Sequence, residues 1–343
     1  MSQRARESAV SKSKVFFVIV TYNGAHCIDR CLQSVVASDN GADELHAVVV
    51  DNASTDDTLA RVKAVQAAHP GRLTVLPSQH NAGFGVGNNV GMAWALSQGA
   101  DYLFLLNQDA LVEPGTTREL SAFMQAHPAF AAVTPLHMSP DWHHVDPKTY
   151  IGYLREGAGE YVKDALAGQV KAHYRIPGIN AAAWFLRRKA VETVGGFDPL
   201  YFMYGEDDDY LARMAYHKQE FALLPTSRIL HLRESPPSKS RREFWSDVRR
   251  QRDREYSRML VLVKDIRYSG KHAVLQFMVK GVFLPSATWL LNPGLSRLMA
   301  IAAAAARVLM NLAAVARARR YTKMPNCTYL PMNAVLHSTS TKG

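Results

Sequence analysis

The feature that most constrains the fold is an alternation of short apolar runs with amphipathic segments in the first half of the 343-residue chain. The apolar runs are rich in β-branched and aromatic residues, as expected of strands covered on both faces. The segments between them carry apolar residues at helical spacing. This alternation predicts βαβ units and an α/β fold with a mostly parallel central sheet flanked by helices. The predicted strands are residues 15–20, 47–50, 73–76 and 102–106, and the predicted helices are residues 25–38, 58–69 and 87–97.

Polar side chains follow each of these predicted strands. They are Thr21, Tyr22 and Asn23 after the first, Asp51 and Asn52 after the second, His80 and Asn81 after the third, and Asn107, Gln108 and Asp109 after the fourth. In open α/β sheets, ligands bind outside the carboxyl ends of the strands. The sequence therefore predicts a binding site at this edge of the sheet.

The later parts of the chain predict less regular structure. Residues 140–176 have weak periodicity and predict strands and loops beside the site, whereas residues 210–216 predict a helix. The apolar stretches 273–291 and 298–316 are interrupted by charged residues, so neither is a good membrane span. Apolar helices with flanking cations fit either helices lying on an anionic bilayer or a bundle packed on the catalytic domain.

The composition indicates which class of binding partner and which cellular compartment to expect. The formal net charge of +10 favours an anionic partner such as nucleic acid, acidic lipid or a phosphorylated substrate. Three cysteines argue against a disulfide framework and indicate a reducing compartment. The polar, basic N-terminus is not a secretory signal. We expect a flexible basic arm (1–14), a catalytic domain (15–235), a helical C-terminal region (236–330) and a tail (331–343).

The most informative cluster is a run of four acids, Glu206, Asp207, Asp208 and Asp209, after the aromatic segment 201–205, which we expect to line a pocket. Adjacent carboxylates repel one another, so at least one pKa is expected to be raised, as suits a general base. The alternative is a solvated acidic turn that caps the following helix.

Other candidate residues each have a structural alternative. Asp109 is suited to hold a hard cation, or to cap a helix. Asp51 is suited to bind a nucleobase or ribose, or to begin a helix. His231 would complete a metal site with Asp109, although a lone histidine is more often structural. The glycine-rich segment 81–89 lets a phosphate or sugar approach the backbone, but a dinucleotide-binding motif would follow the first strand.

Five segments in this order resemble glycosyltransferase family 2, whose members have the GT-A fold. They are VIVTYNG (18–24), VVVDNASTDDT (48–58), HNAGFGVGNNVG (80–91), FLLNQDA (104–110) and GGFDPLYFMYGEDDDYLARM (195–214). The resemblance covers residues 15–231 and is strongest to bacterial rhamnosyltransferase-type members that build surface polysaccharides. It implies that the catalytic domain has the GT-A fold, so that the helical region predicted after it is a C-terminal appendage.

The resemblance also implies a role for each matching residue. The nucleotide-sugar would be bound by Thr21, Tyr22, Asn23, Asp51, Asn52, Asn81, Gly83, Phe84, Asn88, Asn107, Gln108 and Arg213. Asp109 would bind Mg²⁺ or Mn²⁺ together with His231, and Asn107 stands where the family motif has its first Asp. Asp207 would be the catalytic base, with Glu206 its neighbour and Asp209 an orienting partner.

The implied reaction is an inverting transfer of one sugar from a nucleotide diphosphate to an acceptor hydroxyl. dTDP-rhamnose leads among the expected donors, ahead of UDP-sugars, and a saccharide or lipid-linked saccharide is the expected acceptor. We expect the protein in the cytoplasm, peripheral on an anionic membrane surface at the cytoplasmic face of the inner membrane, without a nucleic-acid partner. A nucleotidyltransferase would need a cationic loop after the first strand, and residues 21–26 carry no Lys or Arg. A nucleic-acid-binding protein would need cations interleaved with aromatics on one face.

Overall fold

The computed structural model describes residues 12–39, 41, 43–155, 157–233, 244–287, 295–326 and 329–331. Most of the predicted arm (1–11), most of the predicted tail (332–343) and Cys327 lie outside the described residues. The strands are β1 (Lys14–Thr21), β2 (Glu44–Asp51), β3 (Leu73–Pro77), β4 (Tyr102–Leu106), β5 (Ala110–Val112), β6 (Phe130–Met138), β7 (Tyr174–Ile176), β8 (Ala183–Arg187) and β9 (Glu220–His231). The four strands predicted in the first half of the chain are therefore confirmed.

These strands form one sheet in the order β3-β2-β1-β4-β8-β6-β9-β5, with β7 paired to β9. The first four strands in this order are mutually parallel. Strand β8 then runs antiparallel to β4 and β6, so the complete sheet is mixed. The parallel half gathers the ends of β1, β2 and β4 at one edge, as the sequence predicts.

Helices cover both faces of the sheet. They are α1 (Ile28–Val36), α2 (Thr58–Ala68), α3 (Phe84–Ser97), α4 (Thr116–Ala126), α5 (Pro147–Arg155), α6 (Gly159–Leu166), α7 (Arg188–Val194) and α8 (Glu206–Tyr216). Successive residues of a strand point to opposite faces. In β1, Phe17 and Ile19 accordingly pack in the cluster that contains α1, α2 and α4, whereas Phe16 and Val18 pack in the cluster that contains α3, α7 and α8.

The glycines of α3 have a packing role. An added Cβ would lie 2.7 Å from Val20 Cγ1 at Gly87 and 2.5 Å from Val18 Cγ1 at Gly91. Because real Cβ atoms do not approach so closely, these glycines let α3 lie directly against β1. The helix also begins at Phe84, three residues before the predicted start.

The prediction of strands and loops for residues 140–176 is wrong over most of that span. The structure has helices α5 and α6 there, and only Tyr174–Ile176 is a strand. Both helices are short, and α6 buries Tyr161 and Val162 against the core beneath it. Two apolar anchors are too few to give a clear helical period in the sequence.

The C-terminal helices are α9 (Phe244–Lys264), α10 (Gly270–Gln276), α11 (Leu284–Ala287), α12 (Leu295–Met310) and α13 (Leu312–Tyr321), with a π-helical segment Phe277–Phe283 between α10 and α11. Residues of α9, the π-helical segment, α12 and α13 form a third apolar cluster that also contains Tyr201, the residue that opens the aromatic segment before the acids. Within the described residues, no single helix combines the length and apolarity of a membrane span. The bent pair α12 and α13, at 62° to each other, reaches that length and composition together.

Candidate functional site

The loop after β2 places a buried carboxylate at the sheet edge. Asp51 is 1% exposed, and its Oδ2 accepts a hydrogen bond from Ser54 N at 3.1 Å. Its Oδ1 is buried without a hydrogen-bond partner in the described part of the chain. Asn23 lies beside this loop, since its backbone N–H donates to Ser54 Oγ at 3.0 Å and its Oδ1 accepts from Thr55 N at 2.8 Å. Asp51 therefore keeps an unused acceptor at the carboxyl end of a central strand.

Asn52 joins this strand end to the glycine-rich loop. Its Nδ2 donates to Asn81 Oδ1 at 2.9 Å and to Gly83 O at 3.1 Å, and its Oδ1 accepts from Ala82 N at 3.1 Å. Gly83 has φ of +91°, and an added Cβ there would lie 2.1 Å from Phe202 O. Asn52 and Asn81 therefore fix the loop where it touches the segment that precedes the acids.

Gln108 bridges two strand ends. Thr21 Oγ1 and Tyr22 N both donate to Gln108 Oε1, at 2.6 and 3.0 Å, and Gln108 Nε2 donates to Tyr22 O at 3.3 Å. The side chain of Tyr22 is 43% exposed at the rim. Asn88, another predicted binding residue, is 1% exposed and donates to Phe84 O at 3.0 Å within its own helix.

Asp109 and His231 form the predicted pair at the end of the sheet. The pairing of β5 with β9 brings Asp109 Oδ1 to 3.3 Å from His231 Nε2. Burial acts to raise the pKa of Asp109, but the hydrogen bond and charge of His231 outweigh it and hold that pKa below its ordinary value. Nδ1 of His231 is buried without a partner among the described atoms. No group of three His, Cys, Asp or Glu residues within the described ranges is placed to hold a metal ion.

A second layer of residues behind His231 was not predicted. The ring of His137 lies edge-on to that of His231 with centroids 6.2 Å apart, and burial lowers the pKa of His137 to about 3, so it is neutral at ordinary pH. Arg233, two residues after His231, donates through Nε to Asp146 Oδ2 at 3.0 Å. Thr149 Oγ1 donates to the same oxygen at 2.6 Å. These residues come from separate stretches of the chain, so no local motif marks them.

The acid run forms the first turn of α8, four residues earlier than the predicted helix start. Glu206 is 6% exposed, and burial together with the charge of Asp207 raises its pKa to about 8. Burial also raises the pKa of Asp207, which is partly exposed and accepts from Asp208 N at 2.9 Å. The expectation of a raised carboxyl pKa in this run is confirmed.

Asp209 lies on the other side of the same helix turn. It is 4% exposed and is bound by Lys264 Nζ at 2.5 Å and by Arg213 Nε at 2.9 Å. Burial acts to raise its pKa, but the charges of Lys264 and Arg213 bring it below the ordinary value. Arg213 is itself 0% exposed and donates to Val194 O at 2.8 Å, so it has no surface here from which to contact a nucleotide.

Lys264 was not singled out in the sequence, yet it is the centre of this buried network. It is 0% exposed on α9 and lies 2.7 Å from Asp198 Oδ2 as well as 2.5 Å from Asp209 Oδ1. The hydroxyl of Tyr329 donates to the same oxygen of Asp198 at 2.9 Å. The network ties the acid-bearing helix to the C-terminal helices.

Five of the predicted site residues, from distant segments, line one cleft of about 360 Å³, whereas Asp51 and Asp109 are not among its lining residues. The predicted site residues that line it are Phe84, Asn107, Glu206, Asp207 and His231. Met203 and Tyr204 come from the aromatic segment 201–205 that was expected to line a pocket, and the unpredicted lining residues are Lys148, Asn180, Ala181, Ala182 and Arg233. Four buried polar atoms of its lining have no partner in the described structure: Asn107 Oδ1, Asn180 Oδ1, Glu206 Oε2 and His231 Nδ1. Because buried polar groups are normally satisfied, this concentration marks a ligand site.

Comparison with known proteins gives information that does not depend on the geometry of the site. The sequence profile of glycosyl transferase family 2 matches residues 16–195, just over half of the chain. Galactofuranosyltransferase GlfT1 of Mycolicibacterium smegmatis is 28% identical over 222 residues, covering 62% of this chain and 69% of the relative. The N-acetylglucosaminyl-diphospho-decaprenol L-rhamnosyltransferase of Mycobacterium tuberculosis is 26% identical over 238 residues, covering 62% and 74%.

Two solved structures have a similar fold. The mannosyltransferase PcManGT from Pyrobaculum calidifontis, solved with GDP-Man and Mn²⁺, matches with a TM-score of 0.55 at 22% identity, over 97% of this chain and 87% of its own. Residues 1–349 of TarS from S. aureus, solved with UDP, match with a TM-score of 0.55 at 16% identity, over 96% of this chain and 92% of that one. At these identities the likeness concerns the fold.

Proposed function

Because the chain belongs to glycosyltransferase family 2 and is therefore a glycosyltransferase, we propose that the cleft around Asp207 transfers one sugar from a nucleotide diphosphate to an acceptor hydroxyl with inversion. The observation that carries this proposal is the cleft itself, where Asp207 faces the same space as four buried polar atoms that have no partner among the described residues. Asp207 accepts the proton of the acceptor hydroxyl. The oxygen then attacks the anomeric carbon from the side opposite the departing nucleoside diphosphate, so no covalent enzyme intermediate is needed.

The electrostatics of the three acids support Asp207 as the base. Asp209 has a lowered pKa, which makes it a weak base, and its carboxylate is bound by two cations, so an acceptor hydroxyl has no free access to it. Glu206, with a pKa of about 8, is protonated at neutral pH and acts as a hydrogen-bond donor. Asp207 is partly exposed to the cleft and has a pKa raised by burial, which strengthens it as a proton acceptor.

The nucleotide is assigned to the loops that follow β1, β2 and β3. Asp51 Oδ1 is the buried acceptor that would receive the imide N–H of uracil or thymine. The chain of hydrogen bonds from Asn52 through Asn81 to Gly83 leads from this position to Phe84 in the cleft. Tyr22 at the rim supplies an exposed ring for stacking on the base.

The residues at Asp109 fit a divalent cation, Mg²⁺ or Mn²⁺. Asp109 offers a carboxylate that is 20% exposed, and His231 offers an imidazole nitrogen 3.3 Å from it. Such cations are commonly held by one or two protein ligands together with substrate phosphates, so two protein ligands are sufficient at this site. When bound, the cation would neutralise charge on the diphosphate leaving group.

The metal assignment is tested by direct binding. We expect Asp109→Asn to weaken the binding of Mn²⁺, measured by its electron paramagnetic resonance signal in the presence of UDP, because the variant loses the only carboxylate of the pair. Asp208→Asn, which removes an exposed acid from α8, serves as the matched control. Equal Mn²⁺ affinity in Asp109→Asn and wild type would remove Asp109 from the metal site.

The donor and acceptor are proposed from the relatives. We infer dTDP-rhamnose as the leading donor, since one relative is an L-rhamnosyltransferase, with UDP-sugars second, since another is a galactofuranosyltransferase. We also propose that the acceptor is a lipid-linked saccharide and that the protein works at the cytoplasmic face of an anionic membrane, a location that its charge of +10 favours. Thermal stabilisation by a panel of nucleotide sugars would rank the donors.

The base assignment is tested by Asp207→Asn. We expect it to lower the rate of sugar transfer by about 10²–10⁴-fold while the affinity for the nucleotide diphosphate is retained, because it removes the proton acceptor without changing side-chain size. Asp208→Asn is the control, since it makes the same change at the next, exposed position. Transfer by Asp207→Asn at the rate of this control would exclude Asp207 as the base.

A further inference from the structure

A second cavity, of about 450 Å³, lies beside the cleft where the segment before α8 packs against the C-terminal helices. The segment contributes Phe202, Met203 and Tyr204; α9 contributes Arg252, Asp253, Arg254, Tyr256 and Ser257; and α12 contributes Arg307. A volume of this size is typical of a small-molecule site. The residues from α9 and α12 lie outside residues 16–195, the part of the chain that the family profile matches.

This cavity shares a wall with the catalytic cleft. Met203 and Tyr204 line both spaces, and they are 47% and 54% exposed. The wall is held in place because Ser257 Oγ donates to Met203 O at 3.0 Å. At Gly205, with φ of +81°, an added Cβ would lie 2.9 Å from Val261 Cγ2. A ligand in the cavity therefore lies next to the segment that leads into Asp207.

The charges of the lining are unbalanced in favour of cations. Asp253 Oδ1 accepts from Arg252 Nη2 at 2.8 Å and from Arg307 Nη1 at 3.2 Å, so one carboxylate faces two guanidinium groups. Arg254 is exposed and lies over the ring of Tyr204 at 5.7 Å. Three arginines against one aspartate leave an excess of two positive charges. Arginine is the side chain best suited to bind phosphate through paired hydrogen bonds.

The same lining is rich in apolar and aromatic surface. Phe202 is 55% exposed, and Arg307 covers the ring of Tyr256 at 4.0 Å. Exposed aromatic surface next to unbalanced cations is complementary to an amphiphile that has one anionic group and one apolar chain. A free sugar has neither an anionic group for the cations nor an apolar chain for the aromatic surface. The acids of the neighbouring cleft disfavour a long polyphosphate chain such as a nucleic acid.

We propose that this cavity binds the acceptor through a phosphate or diphosphate ester of an apolar alcohol, with the acceptor hydroxyl directed across Met203 and Tyr204 toward Asp207. The inference rests on the glycosyltransferase function proposed above and assigns the lipid-phosphate part of the acceptor to Arg252, Arg254 and Arg307. Arg254 contributes most to recognition, because it is the arginine of the three that no described acid neutralises.

The test uses farnesyl diphosphate as the probe and the full chain. Isothermal titration calorimetry is expected to show binding to wild type and binding that is weaker by about tenfold or more to Arg254→Gln, because the variant loses a charge-assisted contact to the phosphate. Arg249→Gln is the matched control, since Arg249 is an exposed arginine of the same helix that does not line the cavity. Circular dichroism of each variant reports whether the fold is kept.

Five outcomes decide the proposal. Loss of farnesyl diphosphate affinity in Arg254→Gln but not in Arg249→Gln supports it, and equal affinity in the two variants overturns it. Binding of inorganic diphosphate as tightly as farnesyl diphosphate would refute the apolar part, and equal binding of farnesol would refute the phosphate part. Displacement of farnesyl diphosphate by UDP would place it in the nucleotide site and would overturn the assignment.

A separate titration with UDP distinguishes this proposal from the function on which it rests. If the arginine variant binds UDP as wild type does and loses only farnesyl diphosphate, both stand. If wild type binds farnesyl diphosphate through Arg254 but no nucleotide diphosphate or nucleotide sugar, the nucleotide-dependent function fails and the amphiphile site remains.

Discussion

Replacing Glu206 by Gln should make the protein more stable near neutral pH and leave its stability unchanged in acid. The reason is burial: Glu206 is 6% exposed, and its pKa is raised from 4.5 to about 8. Since the folded state holds this proton more tightly than the unfolded state does, folding is favoured while the carboxyl stays protonated in both states. That advantage is lost as the pH rises from 4.5 toward 8.

The size of the effect follows from the two pKa values. Each pH unit between them lowers the free energy of unfolding by about 1.4 kcal/mol. At pH 7 the wild type has thus lost about 3 kcal/mol relative to pH 4.5, and above pH 8 it has lost about 5 kcal/mol. Glutamine resembles the protonated carboxyl in shape and cannot ionise, so Glu206→Gln should avoid this loss. The raised pKa of Asp207 gives a slope of the same sign, which the variant keeps.

Urea unfolding at about pH 4.5 and at pH 7.5, followed by tryptophan fluorescence, measures the difference. The variant and the wild type should unfold at the same urea concentration in acid and separate at pH 7.5. Glu192→Gln provides the matched control, because the side chain of Glu192 is 51% exposed on α7. Equal stabilities of Glu206→Gln and wild type at both pH values would show that Glu206 is ionised without cost, and would refute its assignment as a protonated donor.

Two further variants test the framework of the site. Lys264→Met should lower the free energy of unfolding by about 3–5 kcal/mol, because it removes the cation shared by two buried carboxylates. Urea unfolding measures the loss, with Lys280→Met as the control because Lys280 is exposed. Equal stabilities of the two variants would contradict the role of Lys264. Gly83→Ala should cost about 1–2 kcal/mol from its positive φ and about 1–3 kcal/mol more from the clash with Phe202 O. Gly71→Ala isolates the first part, because Gly71 has φ of +77° with no atom within 4 Å of an added Cβ, and an identical loss in both variants would argue against the clash.

The sequence predicted the edge of the site because the end of a strand can be recognised from a few neighbouring residues. A run such as residues 102–106 is wholly apolar, and the switch to Asn107 and Asp109 marks the point where the chain leaves the sheet. Once the strands are taken as parallel, their carboxyl ends meet at one edge without further information. The acid run was recognisable for the same reason, since four adjacent carboxylates are unfavourable without a function or a partner.

The parts that escaped prediction depend on contacts between distant segments. Asn180 and Arg233 are single polar residues in irregular sequence, and only the folded chain brings them into the cleft. The glycines of segment 81–89 were interpreted as room for a ligand, whereas Gly87, like Gly91 one turn later, gives room to the strand beneath α3. Arg213 was expected one turn after the acid run, near the acids or the phosphates of the nucleotide, and it is the acid Asp209 that it contacts, from a fully buried position. No local pattern distinguishes a buried arginine from an exposed one at this spacing.

The buried lysine also explains why the acids of α8 can differ so widely. Glu206, Asp207 and Asp209 share one helix turn, and four carboxylates in a turn would otherwise repel one another about equally. Lys264 and Arg213 neutralise Asp209 from one side, which leaves Glu206 and Asp207 with raised pKa values on the side of the cleft. Since Lys264 belongs to α9, a catalytic region that ended at residue 235 would not contain the cation that separates the acids into a structural and a chemical set. The C-terminal helices are therefore part of the electrostatic design of the site, and the amphiphile cavity lies along the same helix that supplies this lysine.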